Sequence, residues 1–321
     1  MTLLLTCITH RFVVQASDRR LTLPNGSIHE ELANKATLLG NHATFAYTGL
    51  AKCSVNESTD ALMLRILSQP GIPILKQLSN LGQEAAKSIR NLSLPGRPSD
   101  RGWIRRTSFV GGGFIGLHHP ERFGRQPSVD NLHPTLFVVS NAQGISEEWR
   151  DIADREFAIS LMSLEQDQEF GLHAAGAHFG GEIRTRLNRD IRRCIARSER
   201  PEPLARLLAR AIRQVSQRNG RVGPNVMCTL VHRERALINT TEYHSGAFPV
   251  NRTGSAPPEA DYFKILRRND AQFIYCPGNP EDLIFYGPNW ASPSGLAIQG
   301  PIFGPTELVE KYKQDLNKRC R

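Results

Sequence analysis

The sequence lacks the long hydrophobic run that a membrane-spanning helix needs. No stretch of about 18 apolar residues occurs in it, so we expect no transmembrane segment and no membrane partner. The opening stretch, Met1 to Ile8, has no basic leader and soon meets His10 and Arg11, so we expect no signal peptide either. Together these absences predict a cytoplasmic protein.

Paired cysteines are also missing. The 6 cysteines are scattered and none forms a C-x-x-C pair, which argues against a zinc knuckle and against a disulfide framework. His118, His119 and His133 have no carboxylate at metal-ligand spacing, so a surface loop is favoured over a metal site there. We therefore expect neither a metal nor an organic cofactor.

Acidic residues are outnumbered by basic ones. The chain has 40 Lys plus Arg against 31 Asp plus Glu, a net charge of +9. Much of the excess lies on two predicted arginine-rich helices, and such a balance permits contact with nucleic acid. Aromatic side chains are sparse on those helix faces, so no base-stacking platform is visible and nucleic acid is the least favoured partner. The arginines in question are Arg184, Arg186, Arg189, Arg192, Arg193, Arg206, Arg210 and Arg213.

The first fifty residues alternate short strand-like runs with single reactive side chains. Residues 2–7 and 12–16 are rich in β-branched and aliphatic side chains and are split by a turn at 9–11. Residues 37–39 and 43–47 repeat this design around a Gly-Asn turn. A hydroxyl, a carboxylate and an ammonium thus stand at strand ends, where a sheet can bring them together. They belong to Thr2, Asp18 and Lys35.

These residue types suit one chemistry. The hydroxyl of Thr2 is a poor nucleophile, and the α-amine of the same residue can act as its base once Met1 has been removed. That amine has a reference pKa of about 7.7–8.0, near the operating pH. Lys35 would favour the neutral amine and stabilise the developing negative charge, and Asp18 would keep Lys35 charged and oriented. The backbone N–H of Gly49 can donate to an oxyanion.

This arrangement resembles the N-terminal half of a bacterial proteasome β-type subunit, of the N-terminal-nucleophile (Ntn) hydrolase superfamily. In that family an N-terminal threonine is followed, sixteen positions on, by an acid within an Ala-x-Asp/Glu-x-Arg segment. Counting from Thr2, the acid falls on Asp18 and the arginine on Arg20. The family's lysine and glycine fall on Lys35 and Gly49 if one residue is inserted in the 23–34 loop.

The resemblance implies an α+β fold, a four-layer αββα sandwich of two antiparallel sheets between helix pairs. It covers residues 1–245, and residues 246–321 form a C-terminal extension with short strands and a final helix. Apolar periodicity, together with cap and stop signals, predicts helices over 58–67, 73–92, 174–197, 203–217 and 307–318. It predicts later strands over 107–117, 135–140, 226–232, 236–243, 272–276, 283–286 and 296–299.

The function implied is an N-terminal-threonine amidohydrolase or peptidase that acts on a peptide or amide through an ester on Thr2. The family's supporting serine falls on Ala175, and a later aspartate and serine fall on Asn219 and Val222. The alternative is therefore a catalytically impaired proteasome-like subunit that serves assembly or binding. The resemblance also implies a homo-oligomer, built as a ring or a stacked dimer.

Overall fold

The computed structural model describes residues 2–23, 27–31, 33–40, 42–94, 104–115, 132–146, 150, 152–234, 240–244, 264–268, 271–275, 283–286, 289–291, 295, 297–298 and 302–303. These residues form a mixed α+β protein. Its helices are α1 (Thr59–Leu67), α2 (Ile74–Arg90), α3 (Gly181–Arg197) and α4 (Glu202–Ser216). Its first ten strands are β1 (Leu3–Thr9), β2 (Phe12–Asp18), β3 (Leu21–Thr22), β4 (Ile28–Glu30), β5 (Ala36–Leu39), β6 (Ala43–Thr48), β7 (Ser108–Ile115), β8 (His133–Ser140), β9 (Ala158–Ser163) and β10 (Phe170–Gly176). The others are β11 (Val226–His232), β12 (Thr240–His244), β13 (Lys264–Arg268), β14 (Ala271–Tyr275), β15 (Leu283–Tyr286), β16 (Asn289–Ala291), β17 (Ala297–Ile298) and β18 (Ile302–Phe303).

One sheet is built around the chain's first hairpin. Its order is β10-β1-β2-β11-β12, and all its neighbouring strands are antiparallel. The turn between β1 and β2 is closed by Thr9, whose hydroxyl accepts from the backbone N–H of Phe12 and donates to the carbonyl of the same residue. Both strands lie in the interior of the sheet, and every residue of each is buried.

A second, larger sheet has the order β17-β16-β5-β6-β7-β8-β9. Its neighbours are antiparallel except β16 and β5, which run parallel. Two smaller sheets, β3-β4 and β13-β14-β15-β18, complete the described strands. The carboxyl end of β2 and the start of β5 carry the two charged residues of the predicted site.

Each helix pair packs on one of the two large sheets. Ser58 caps α1, and the apolar faces of α1 and α2 join a buried cluster with Phe45, Phe109 and Phe137 of the larger sheet. The apolar faces of α3 and α4 join another cluster with β1, β2, β10 and β11. Further apolar clusters contain residues of both sheets, for example Val13 with Leu136. None of the helices that the structure describes is long and apolar enough to cross a membrane.

A polar network lies among these inter-sheet clusters. The Gln15 side chain donates to the Thr6 hydroxyl and to the Val110 carbonyl, both at 2.9 Å. Its oxygen accepts from Thr44, whose hydroxyl also lies 2.6 Å from that of Thr229. Because buried polar groups are costly unless paired, this network fixes the relative position of the two sheets.

The predicted start of the third helix was wrong. Residues 174–176 belong to β10, where Leu3 is paired with Gly176, and α3 begins only at Gly181. Pairing with β1 overrides the helical pattern, because the edge of β1 would otherwise be left without hydrogen bonds. Residues 145–170, where the sequence patterns predicted no separate strand, contain the complete strand β9.

Part of the predicted C-terminal extension adds to the larger sheet. Strand β16 pairs with β5, and the N–H of Gly40 donates to the Ala291 carbonyl at 2.7 Å. Trp290 packs partly buried against the inter-sheet cluster. The division of the chain at residue 245 stays a prediction. The predicted final helix at 307–318 and the His118 and His119 positions lie outside the described residues.

Candidate active site

Thr2 stands at the start of β1 and is 4% exposed. Its carbonyl accepts from the backbone N–H of Ala177 at 2.8 Å and from the Thr48 hydroxyl at 3.4 Å. The backbone of Gly176 has φ +94°, and a Cβ there would lie 1.8 Å from the Thr2 carbonyl oxygen. Only glycine permits this close approach, so the end of β10 holds the Thr2 backbone from one side and β6 holds it from the other.

The Lys35 ammonium lies at the centre of the site. Its Nζ donates to the hydroxyl of Thr2 at 2.7 Å, to Oδ1 of Asp18 at 2.7 Å and to the carbonyl of Arg20 at 2.6 Å. An ammonium has three N–H donors, so each has an acceptor. The ion pair between Lys35 and Asp18, which the spacing predicts beside Thr2, is therefore present.

Both side chains of this ion pair are fully buried. The second oxygen of Asp18 accepts from the backbone N–H of Gly223 at 3.0 Å, so both carboxylate oxygens are hydrogen-bonded. Burial lowers the pKa of the Lys35 ammonium from its ordinary value because it penalises the charge, and the Asp18 carboxylate opposes this shift. Asp18 thereby favours the charged form of Lys35, which is the form that donates to the Thr2 hydroxyl.

Arg20 does not reach Thr2 with its side chain. Its guanidinium forms an ion pair with Glu31, with Nη2 at 2.8 Å from Oε1, and its Nη1 donates to the Gly220 carbonyl at 2.5 Å. It thereby ties the 220–223 turn to the end of β2. Since that turn supplies the Gly223 N–H to Asp18, Arg20 supports the site from behind, while its own carbonyl accepts from Lys35.

Gly49 follows β6 in a backbone conformation that favours glycine. Its φ is +106°, and a Cβ on it would lie 2.1 Å from the Arg106 carbonyl oxygen. Gly49 is exposed and adjoins Thr48, which contacts the Thr2 carbonyl. The structure thus places the predicted oxyanion donor one residue from a direct contact of Thr2.

The three altered supporting positions have other tasks. Ala175 lies opposite Leu4 in the β10-β1 pairing and is buried among apolar side chains. The side-chain oxygen of Asn219 accepts from the N–H of Arg221 at 3.1 Å, which stabilises the turn after α4. Among the described residues, no hydrogen bond joins Ala175 or Asn219 to Thr2. Val222 is buried in the core cluster under α4.

Sequence reasoning missed three backbone and side-chain contributors. Gly223, Thr48 and Ala177 each hold Thr2 or Asp18. In the sequence, residues 220–223 indicate only the end of the preceding helix. The one signal of a close backbone approach is the second glycine, Gly223, three positions after Gly220.

The site offers proton-transfer groups and backbone donors. Among the described residues, no three His, Cys, Asp or Glu side chains come together as a metal site would require. What the arrangement can do chemically is polarise a hydroxyl, through an ammonium that is itself held by a carboxylate.

No protein-family model matches the chain, and no curated protein matches it. Solved structures similar to it include Anbu from Hyphomicrobium sp. strain MC1, with 15% identity, TM-score 0.47, 77% of this chain and 89% of that chain covered. Another is the helical assembly of the Anbu complex from Pseudomonas aeruginosa, with 13% identity, TM-score 0.46 and coverage of 76% and 88%. A third is Anbu (ancestral beta-subunit) from Yersinia bercovieri, with 14% identity, TM-score 0.43 and coverage of 72% and 81%. The sequence resemblance to a bacterial proteasome β-type subunit was therefore wrong in its family, because these similar structures are Anbu proteins.

Proposed function

We propose that this protein is an N-terminal-threonine amidohydrolase or peptidase whose nucleophile is the Thr2 hydroxyl. The observation that carries the proposal is the position of the Lys35 ammonium, 2.7 Å from the Thr2 hydroxyl and 2.7 Å from the Asp18 carboxylate. Fully buried ion pairs are expensive to maintain, and a buried lysine aimed at a hydroxyl is typical of a site that activates it.

The proposed reaction is acyl transfer in two steps. The free α-amine of Thr2, exposed once Met1 is removed, takes the hydroxyl proton as the oxygen attacks the substrate carbonyl carbon. The tetrahedral oxyanion accepts from the Gly49 N–H, and Lys35 stabilises the negative charge that develops on the attacking oxygen. The C–N bond breaks as the leaving amine takes the proton, which leaves an ester on Thr2. Water, deprotonated by the same amine, then hydrolyses the ester.

The altered supporting positions favour a second candidate, a subunit that keeps the fold but is catalytically impaired. Ala175 offers only a methyl group to its apolar neighbours, and Asn219 bonds within its own turn. An amine without these supporting hydrogen bonds is a weaker base. We therefore expect slow turnover under the first candidate and none under the second.

The proposal extends to the architecture and assembly. We propose that the two large sheets and two helix pairs are stacked as αββα layers, with residues 1–245 as the catalytic unit. We also propose a homo-oligomer, because β9 is an edge strand without a charged residue and exposes Ile159 and Leu161. Natural edge strands usually carry charges that prevent pairing unless a partner covers them. Light scattering should then give a mass well above the 35.8 kDa of one chain.

Two measurements test the proposed activity. Intact mass of untagged protein should show Met1 removed, because a blocked amine cannot act as base. A β-lactone or epoxyketone probe should then form one covalent adduct on Thr2, and peptide mapping should locate it. Thr2→Ser should still react and Thr2→Ala should not. An adduct that survives Thr2→Ala would mean that the nucleophile is another residue.

The Lys35→Ala variant tests the role of Lys35 directly, once the variant is shown to be folded and to have lost Met1. A folded, processed Lys35→Ala protein should form no adduct, since the hydroxyl loses the charge that tunes it. If the processed wild type forms no adduct with several such probes, the impaired subunit becomes the preferred function.

A further inference from the structure

Strand β16 pairs with β5, the strand that begins directly after Lys35. A series of hydrogen-bonded side chains also links β16 to the residue before Lys35. The Nδ2 of Asn34 donates to the Oδ1 of Asn289 at 2.8 Å. The Nδ2 of Asn289 in turn lies 3.4 Å from the backbone oxygen and 3.4 Å from the Oδ2 of Asp60, at the start of α1. Asn289 is 0% exposed and Asn34 8%, so water does not compete for these bonds.

The other end of the Asn34 side chain acts on the backbone around Lys35. Its Oδ1 accepts from the Ala36 N–H at 3.4 Å, so the side chain spans Lys35 from one side to the other. The Lys35 carbonyl itself accepts from the Tyr47 N–H at 3.2 Å. An amide carries its donors and its acceptor on opposite branches, so an acceptor for Nδ2 keeps Oδ1 turned towards Ala36. Asn289 supplies that acceptor.

The geometry demanded of Lys35 is strict. Its three N–H donors all meet acceptors between 2.6 and 2.7 Å. Hydrogen bonds weaken steeply with distance and misalignment, so a turn of the backbone at Lys35 would release the contact with Thr2 or with Asp18. The contacts that fix the backbone on either side of Lys35 therefore also fix the geometry of the site.

We propose that Asn289 is a positioning residue for the reaction of Thr2, acting through Asn34 on the backbone that carries Lys35. This inference rests on the proposed function, and it makes a residue beyond position 245 part of the site. Asn289 acts through its hydrogen bond to Asn34, so its effect is on alignment. It also couples the site to α1 through Asp60.

An exchange of roles between Asn289 and Asp60 separates alignment from mere stability. Asn289→Asp keeps the acceptor for Asn34 but sets a second carboxylate about 3.4 Å from that of Asp60. Adding Asp60→Asn replaces the repulsion by a hydrogen bond in the reverse direction, with the net charge of wild type. Trp290→Phe is the matched control, since it lies on the same strand and its indole N–H has no hydrogen-bond partner among the described residues.

The first readout is the second-order rate at which a β-lactone probe labels Thr2, measured from pH 6 to 9 on full-length, processed protein. We expect the probe to label Asn289→Asp about tenfold to a hundredfold more slowly, because small misplacements of reacting groups slow reactions by such factors. The midpoint of the labelling rate against pH should also be displaced. The double variant should recover most of the wild-type rate and its midpoint, and Trp290→Phe should match wild type. A wild-type rate and midpoint in Asn289→Asp would overturn the inference while leaving the proposed function intact. So would a folded double variant that fails to recover.

The second readout does not need activity. In protein labelled with ¹⁵N-lysine, the Lys35 Nζ resonance, assigned by its loss in Lys35→Arg, should move in Asn289→Asp and return in the double variant. If wild type is not labelled by the probe, the proposed function fails, yet this resonance still decides whether Asn289 positions Lys35. An unchanged resonance in all variants would overturn the inference.

Discussion

The Lys35 ammonium has an acceptor for every N–H that it carries, and two of those acceptors belong to Thr2 and Asp18. On folding, this ammonium loses its hydrogen bonds to water and gains three hydrogen bonds to fixed protein acceptors. Its stability therefore depends on all of them, and the loss of either member of the ion pair leaves a bare charge in a fully buried position.

The first prediction concerns this pair. Lys35→Met should lower the free energy of unfolding at pH 7 by about 3–5 kcal/mol, because Asp18 is left buried without its countercharge. Lys35→Met combined with Asp18→Asn should be more stable than Lys35→Met alone. Urea unfolding of the three proteins measures both differences.

The same single variant has a pH signature with a defined sign. Without its partner, buried Asp18 has a folded pKa raised above its unfolded value, so the folded state binds the proton more readily. The stability deficit of Lys35→Met should then shrink as the pH falls towards the unfolded pKa of aspartate, about 3.9. A deficit that does not change with pH would show that lost packing is the cause.

Gly49 gives the second prediction. Gly49→Ala should destabilise the protein by more than the roughly 1–2 kcal/mol that a positive φ costs an L-residue, since its Cβ would also collide with the Arg106 carbonyl. Gly71→Ala is the control, because Gly71 has φ +70° with nothing within 4 Å of its Cβ position. Urea unfolding compares the two stabilities. Probe labelling of Thr2 should fail only in Gly49→Ala, and equal effects would argue against the tight approach at Gly49.

At the scale of elements, β10 serves both the core and the site. It pairs with β1 along its whole length, and its last residue, Gly176, approaches the Thr2 carbonyl. His173 lies in its middle, opposite Thr6, and is buried. Burial lowers the pKa of His173 to about 4, against a smaller raising effect from the backbone of Ile145. The folded state therefore favours the neutral form of His173.

The third prediction follows from this shift. The folded pKa of about 4 lies below the ordinary 6.5, so the unfolded chain binds the proton first as pH falls. Stability should be full above pH 6.5 and should decrease between pH 6.5 and 4, by up to about 3 kcal/mol at roughly 1.4 kcal/mol per pKa unit. His173→Gln should remove this part of the pH dependence. Chemical unfolding at a series of pH values measures it, and parallel curves for wild type and His173→Gln would contradict it.

At the scale of the molecule, the two large sheets meet through apolar clusters and the Gln15 network, and the C-terminal strand β16 extends one of them. Strand β16 covers the edge of β5 and brings Asn289 to Asn34. The part of the chain predicted as an extension is thus joined to the strand that starts beside Lys35. Exposed strand edges promote association, so this cover also protects the sheet.

The fourth prediction tests that role. A chain ending at His244 should unfold at a lower temperature than the full chain and should associate through the uncovered edge of β5. Differential scanning calorimetry and light scattering measure the two effects. Full-length Asn289→Ala, which keeps the strand, should keep the larger part of the thermal stability. A truncated chain as stable and as dispersed as the full one would show that β16 contributes nothing to the sheet.

Sequence alone determined the local features of this protein. Richness in β-branched and aliphatic residues predicted β1, β2, β5 and β6, which are buried along their whole length. A cap at Ser58 and a Pro-Gly stop predicted α1, and the three- and four-residue periodicity predicted α2 and α4, since it reflects which face of a helix is buried. The positions of Thr2, Asp18 and Lys35 at strand ends, together with the spacing of the family they resemble, predicted that they meet. The structure brings them together from two sheets, with Thr2 and Asp18 at the ends of β1 and β2 and Lys35 directly before β5.

Tertiary structure alone decided what depends on contacts distant in sequence. Pairing with β1 turned residues 174–176 from helix into strand. The link from Asn34 to Asn289 spans 255 positions, and no local pattern marks either asparagine as its partner. The second donor to Asp18, besides Lys35, is the backbone N–H of Gly223. Every residue but proline has such a group, so only the folded chain shows which of them points at the site.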